Sequence, residues 1–330
     1  MAKVKKIIND PERLVEEIIE GLVLASHGAL VPVPGVNAVM RREIPEKVAL
    51  LIGGGSGHEP MYTAYVGDGY ADASVCGHIF AAPTPDIILE ATRAIHRGRG
   101  VLYVYGNYAG DNMNFDLAAE MAADEGIPVQ TVRVMDDIAI ADPAERRGIG
   151  GAFFQVKIAG SACREATSLE EAHRIVTKAQ QAVRTLGVAV SAGSLPETGE
   201  LTFEIGDDEI EIGMGAHGER GIERRKLMPA DPLVEEMMRR LQEDRPLQRG
   251  DRVALLLNDL GATTMMELLI VNRKVRQILD EMGVGVHSTN IGPYLTCQEM
   301  AGFYISLLRL DDELQRHLDS PARSLGYNQV

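Results

Sequence analysis

Two short apolar runs, each stopping at a glycine, constrain the fold more than any other feature of the chain. Residues 48–52 (VALLI) run into Gly53, and residues 101–105 (VLYVY) run into Gly106. Runs this short, with no polar face, read as strands buried on both sides of a sheet. Residues 128–135 (PVQTVRVM) read as a third strand. The stretches at 85–96 and 115–125 read as helices between them. At the N-terminus, Asn9, Asp10 and Pro11 are start signals for a helix over residues 11–25. Strands alternating with helices call for a mainly parallel sheet in an α/β domain.

The second half has a different pattern. A helix over residues 169–186 leads to a strand at 188–191 and a polar turn region at 193–199. A hairpin follows, with strands at 201–205 and 210–214 around Gly206, Asp207 and Asp208. Helices at 232–243 and 263–282 flank a strand at 252–257. This mixture predicts a second α/β domain with a mixed sheet. At 330 residues the chain fits two domains of ~100–200 residues each. The expected division is 1–186 and 187–330, with a polar tail at 323–330.

Composition removes several classes of function. The formal net charge is −15, which opposes a non-specific grip on nucleic-acid phosphates or docking on an anionic membrane. The three cysteines, Cys76, Cys163 and Cys297, are far apart and form no CxxC pair. They read as reduced cytoplasmic thiols rather than as metal ligands or disulfides. No signal-peptide pattern and no run of ~20 apolar residues occurs, so nothing is expected to enter a membrane.

Three loops carry the candidate chemistry. Gly53-Gly54-Gly55-Ser56-Gly57-His58-Glu59-Pro60 follows the first strand. Its glycines allow the backbone to approach a ligand closely, although a tight turn reads equally well from the loop alone. It is no P-loop, because no Gly-Lys-Ser/Thr follows. Gly106-Asn107-Tyr108-Ala109-Gly110-Asp111 follows the second strand. It is expected beside the first loop, so that His58 and Asp111 face one pocket suited to proton transfer. By spacing, Asp111 also reads as a helix N-cap. The third loop, Gly213-Met214-Gly215-Ala216-His217-Gly218-Glu219-Arg220-Gly221, contains GxGxxG. The charged ERGIERRK that follows is no dinucleotide-binding helix. His217, flanked by small residues, reads as an exposed nucleophile or as part of a plain surface loop. His78 sits in a neighbouring loop. Asp136 and Asp137 are weak evidence for a metal, and no metal site is expected.

GGGSGHEP, GNYAGDNMNFD and EIEIGMGAHGERGIER, in this order, resemble the ketone-binding subunit of dihydroxyacetone kinases. FAAPTPD, ERRGIGG, LLNDLGAT and MAGFYISLLRLDDEL extend the resemblance over nearly the whole chain. The resemblance implies a homodimeric subunit of two α/β domains that acts in glycerol metabolism. It implies that His217 bonds covalently to the carbonyl carbon of the ketose as a hemiaminal. It further implies that Gly55, Ser56, Gly57, His58 and Asp111 touch the hydroxyls, with His58 as general base and Asp111 sharing the proton work. No cofactor is expected on this chain. ATP or ADP with magnesium is expected on a nucleotide-binding partner subunit, with a phosphotransferase-system phosphocarrier as one phosphoryl source and ATP as the other.

Departures from the family pattern bear on the substrate. Many relatives carry Lys where this chain has Gly106, Thr where it has Ala109, and GIHGEPG where it has GAHGERG. A four-carbon ketose such as erythrulose therefore stands as an alternative to dihydroxyacetone. A non-catalytic ketose-binding regulator on the same fold is the reading from another class.

Overall fold

The computed structural model describes residues 4–330. The chain forms two compact units. One comprises residues 5–134, 152–181 and 314–330, and the other comprises 135–151 and 182–313. The crossing between residues 181 and 182 lies close to the expected division at 186. Two further exchanges, of 135–151 and of 314–330, separate this arrangement from a single cut.

In chain order the elements are α1 (Leu14–Ala25), β1 (Leu30–Pro32), β2 (Ala38–Arg41), β3 (Ala49–Ser56), β4 (Ala73–Ile79), α2 (Pro85–Ile95), β5 (Val101–Gly106), α3 (Ala109–Asp124), β6 (Val129–Val134), α4 (Ala152–Glu165) and α5 (Leu169–Ala182). They continue as β7 (Val183–Ser191), β8 (Glu209–Ile212), β9 (Glu223–Lys226), α6 (Ala230–Asp244), β10 (Arg252–Asp259), α7 (Met265–Met282), β11 (Gly285–Gly292), β12 (Ala301–Leu310), α8 (Asp312–Asp319), β13 (Ala322–Arg323) and β14 (Asn328–Gln329).

The first unit is built on a sheet of order β1-β2-β4-β3-β5-β6. The pairs β3–β4, β3–β5 and β5–β6 are parallel, and only the β1–β2 and β2–β4 pairs are antiparallel. The mainly parallel sheet expected from the apolar runs is present. Residues 49–52 of β3 and all of β5 are buried, which explains why those runs lack polar alternation. Tyr105 stacks on Phe115 of α3 at 4.1 Å between ring centroids. Leu51, Ile88, Val101 and Tyr103 fill the same core, and each such side chain contributes about 1.5–3 kcal/mol by leaving water. Asp10 accepts from the Glu12 amide and starts the N-terminal helix through a 3-10 turn, as the capping signals predict.

Helix α4 is buried on nearly every side, Lys157 included. The Lys157 ammonium donates to the carbonyls of His317 (3.2 Å) and Ser320 (2.6 Å), and Ser161 Oγ meets His317 Nδ1 at 2.9 Å. These bonds fasten the C-terminal segment to the first unit. Burial pushes the Lys157 ammonium down to about 8.

The second unit has a sheet of order β11-β10-β12-β7-β8-β9. Only β10–β11 is parallel, so the sheet is mixed as expected. Helices α6 and α7 cover it, packing Val234, Met237, Val271 and Val275 against Leu255, Leu257 and Ile305. Thr264 and Glu267 close a capping box at the start of α7. The expected hairpin of 201–205 with 210–214 is not formed. Residues 201–205 make a single bridge, Leu201 to Ser194, and β8 pairs instead with β7 and β9. The register Ile212–Val188 buries Ile210 and Ile212. The charged strand β9 closes that edge through Arg224 and Glu211, 2.9 Å apart. Apolar burial on one side and ion pairing on the other outweigh the local turn signal.

Candidate functional site

In the first unit the two glycine loops lie side by side, because β3 and β5 are parallel neighbours with Gly53 opposite Tyr105. Residues 53–56 form the last part of β3 and Gly106 the last residue of β5, so both glycine-rich segments lie at the carboxyl ends of their strands, where open α/β sheets bind ligands. A β-carbon built on Gly54 would come within 3.8 Å of the Asp111 carboxylate and 3.1 Å of the Tyr62 ring. One on Gly55 would press against the Ala81 nitrogen at 2.7 Å and the Phe80 carbonyl carbon at 2.9 Å. The 79–86 segment is thus held against the first loop, and only glycine leaves it room. His58 is buried and packs its ring 4.9 Å from Phe80. Ser56 is buried too, and its hydroxyl donates to the Gly77 carbonyl at 2.8 Å, tying β3 to β4. The Gly57 amide donates to the Glu59 carboxylate at 3.0 Å, and burial raises the proton affinity of that carboxylate.

Asp111 is not an N-cap. Helix α3 begins at Ala109 with Tyr108 in the capping position, which places Asp111 in the first turn, buried. A carboxylate there gains from the helix dipole. His78 lies at the end of β4 with its side chain exposed. Gly106 is crowded: a β-carbon would meet the Tyr108 ring at 3.0 Å and the Tyr62 hydroxyl at 3.3 Å.

His217 belongs to the second unit, in the loop between β8 and β9. Its backbone amide donates to Glu219 Oε2 at 2.8 Å, and its Nδ1 lies 2.9 Å from Glu219 Oε1. A carboxylate can only accept, so Nδ1 carries the proton and a neutral imidazole has its lone pair on Nε2. Burial works against the Glu219 charge. The hydrogen bonds from the His217 ring and backbone amide prevail and hold the carboxyl down at about 2. The His217 side chain is 25% exposed, so a small molecule can reach it. A cavity of about 480 Å³ lies beside the loop, lined by Phe203, Met214, Gly218 and Arg220 among others.

Sequence reasoning did not foresee the support beneath this loop. Asp137 pairs with Arg147 at 2.7 Å, both buried, and Arg147 donates to the Gly213 carbonyl at 2.9 Å. Asp136 accepts from the amides of Ile149 (2.8 Å) and Gly151 (2.7 Å). The two aspartates therefore organise the 135–151 segment. The ERRGIGG stretch and the Asp pair were the available signals. Among the described residues, no group of three His, Cys, Asp or Glu side chains is placed to hold a metal ion, and no helix is long and apolar enough to cross a membrane.

Fold and loops together define a two-unit α/β protein with buried His58 and Asp111 in one unit and, in the other, a histidine whose ring is held by a carboxylate. The chain belongs to the Dak1 domain family, which matches residues 20–326. It is 43% identical over 322 residues to the dihydroxyacetone-binding subunit of a PTS-dependent dihydroxyacetone kinase from Listeria innocua, covering 96% of this chain and 97% of that one. Among solved structures it resembles the dihydroxyacetone kinase of C. freundii at a TM-score of 0.90 and 29% identity, over 98% of this chain and 60% of that chain. It also resembles a dihydroxyacetone kinase operon co-activator at a TM-score of 0.89 and 29% identity, over 95% and 98% of the two chains.

Proposed function

We propose that this chain is the substrate-binding subunit of a dihydroxyacetone kinase, holding a short ketose on His217 and presenting its hydroxyl for phosphorylation. The observation that carries the proposal is the His217–Glu219 pair, with Nδ1 2.9 Å from Oε1. It leaves Nε2 as a nucleophile in a chain whose full-length Listeria relative is named as a dihydroxyacetone-binding subunit. A ketose of three carbons offers little surface for non-covalent binding. A reversible Nε2–C2 bond supplies the missing affinity and selects carbonyl compounds over glycerol.

His58 and Asp111 act on the hydroxyl that accepts phosphate, His58 as general base and Asp111 sharing the proton and fixing alignment. Gly55, Ser56 and Gly57 form the backbone bed for the substrate. Alignment and charge neutralisation dominate phosphoryl transfer. In this proposal the nucleotide, ADP or ATP with magnesium, sits on a partner subunit, and a phosphotransferase-system phosphocarrier recharges it where ATP is not the donor. The working assembly includes a homodimer of this chain and operates in the cytoplasm.

Reconstitution tests the proposal. The chain mixed with the cognate nucleotide-binding subunit and a phosphoryl donor should convert dihydroxyacetone to its phosphate, with erythrulose as a parallel substrate. The likeness to an operon co-activator favours a second reading, a ketose-responsive regulator. Ketose binding with no turnover from either donor would establish that reading and overturn the first.

A further inference from the structure

We infer that Glu219 is a positioning residue for ketone capture: its grip on Nδ1–H of His217 commits Nε2 to be the nitrogen that bonds to the carbonyl carbon. The inference rests on the reading of His217 as the covalent anchor. A solvated histidine exchanges between two neutral tautomers, and in one of them Nε2 carries the proton and cannot attack. Glu219 removes that choice. Oε1 accepts from Nδ1 at 2.9 Å and Oε2 accepts from the His217 backbone amide at 2.8 Å. The carboxylate is thereby held at two points on the residue it orients, and the ring cannot turn without breaking a charge-assisted bond.

The loop is shaped to admit this carboxylate. A β-carbon on Gly215 would overlap Glu219 Oε2 and crowd Arg147 Nη1. Gly215 is thus required by the space Glu219 occupies. The Gly215 carbonyl accepts from the Gly218 amide at 3.2 Å, and the Gly215 amide donates to the Glu219 carbonyl at 2.9 Å, which closes the turn that brings Glu219 back onto His217.

The chemistry needs a fixed negative charge at this place. When Nε2 attacks, the Nε2–C2 bond forms and the carbonyl π bond breaks. Its electron pair moves to oxygen, which takes a proton from solvent. The ring becomes a cation with Nδ1–H still bonded to Glu219. Release of the Nδ1 proton to solvent past Glu219 gives the neutral hemiaminal, so no net proton is taken up. The carboxylate stabilises the cationic stage as a triad aspartate stabilises an imidazolium.

Nitrogen-15 NMR of histidine-labelled protein without substrate reads the tautomer directly. Carbon-13-labelled dihydroxyacetone then reads capture. The unaltered chain should show His217 protonated on Nδ1 and bare on Nε2. Glu219→Ala should release the tautomer and weaken capture at least ~10-fold, the value of a charge-assisted hydrogen bond. Glu219→Gln, which keeps an acceptor of the same shape, should fall between. Gly215→Ala should reproduce Glu219→Ala with the carboxylate still in the chain, which separates positioning from general loss of charge. Wild-type tautomer and affinity in folded Glu219→Ala would overturn the inference. Absence of any adduct in the unaltered protein would overturn the covalent reading of His217 instead, and the substrate-free tautomer distinguishes the two failures.

Discussion

Replacing Arg147 with methionine tests the foundation of the His217 loop. Arg147 is buried, pairs with Asp137 at 2.7 Å and donates to the Gly213 carbonyl at 2.9 Å, at the mouth of the loop. Burial already pushes the Asp137 carboxyl up to about 6, with Arg147 pulling the other way. A carboxylate whose folded pKa lies above its unfolded value of ~3.9 contributes its full stability below that unfolded value. The contribution shrinks as pH rises through the folded pKa. Arg147→Met removes the opposing pull, so the loss should deepen with pH. Near pH ~4.5 Asp137 is protonated, and the cost is the lost bond to Gly213, about 1–3 kcal/mol. Near pH ~8 the buried carboxylate has no partner, and the cost should reach about 3–5 kcal/mol. Asp137→Asn combined with Arg147→Met should recover much of the loss at the higher pH. Urea denaturation followed by far-ultraviolet circular dichroism at the two pH values measures each cost. A single variant within ~1 kcal/mol of the parent at pH ~8, or a double variant no more stable than the single, would refute the role given to this pair.

Three other outcomes follow from the same geometry. Gly55→Ala must push the Phe80–Ala81 backbone away from contacts of 2.7–2.9 Å, so it should cost about 1–3 kcal/mol; an unchanged melting temperature would contradict the close approach. His58→Asn and Asp111→Asn should each slow turnover ~10²–10⁴-fold in the reconstituted assay while ketone capture persists; normal turnover with lowered stability would leave both residues a structural role only. Glu219 is held at about 2, below an unfolded value of ~4.3, so its stabilisation is present above that value and lost as pH falls through it towards about 2. The stability gap between the parent and Glu219→Gln should therefore be flat at neutral pH and shrink in acid, and a gap constant across that range would count against a charged Glu219.

Burial pattern determined what could be read from the sequence. Strands β3 and β5 are buried on both faces and end in glycine loops, so their apolar runs were legible. Helix α4 is buried on almost every side, and without a polar face it shows no helical period. Strand β4 (ASVCGHI) lacks the apolar run that marks β3 and β5. Edge strand β9 (ERRK) carries charges that pair with neighbouring side chains, and no strand was expected there. The exchange of 135–151 and 314–330 between units depends on contacts far apart in sequence, such as Lys157 with Ser320, which no local pattern announces.

The candidate site was legible to a similar degree. His58, Asp111 and His217 stood out through their glycine-flanked loops and the family resemblance. Glu219 lay only two residues beyond His217, yet within ERGIERRK its charge looked like surface. Its role depends on a turn that folds the side chain back. Arg147 is 66 residues from the carbonyl it holds, beyond any spacing rule.

The central claim is that His217 forms a covalent bond with the ketone, and a crystal soaked in dihydroxyacetone tests it most directly. The account expects continuous density from His217 Nε2 to a tetrahedral C2, and no such density after soaking in glycerol. An intact planar ketone separated from His217 by a van der Waals gap, or an adduct on any other residue, would contradict it.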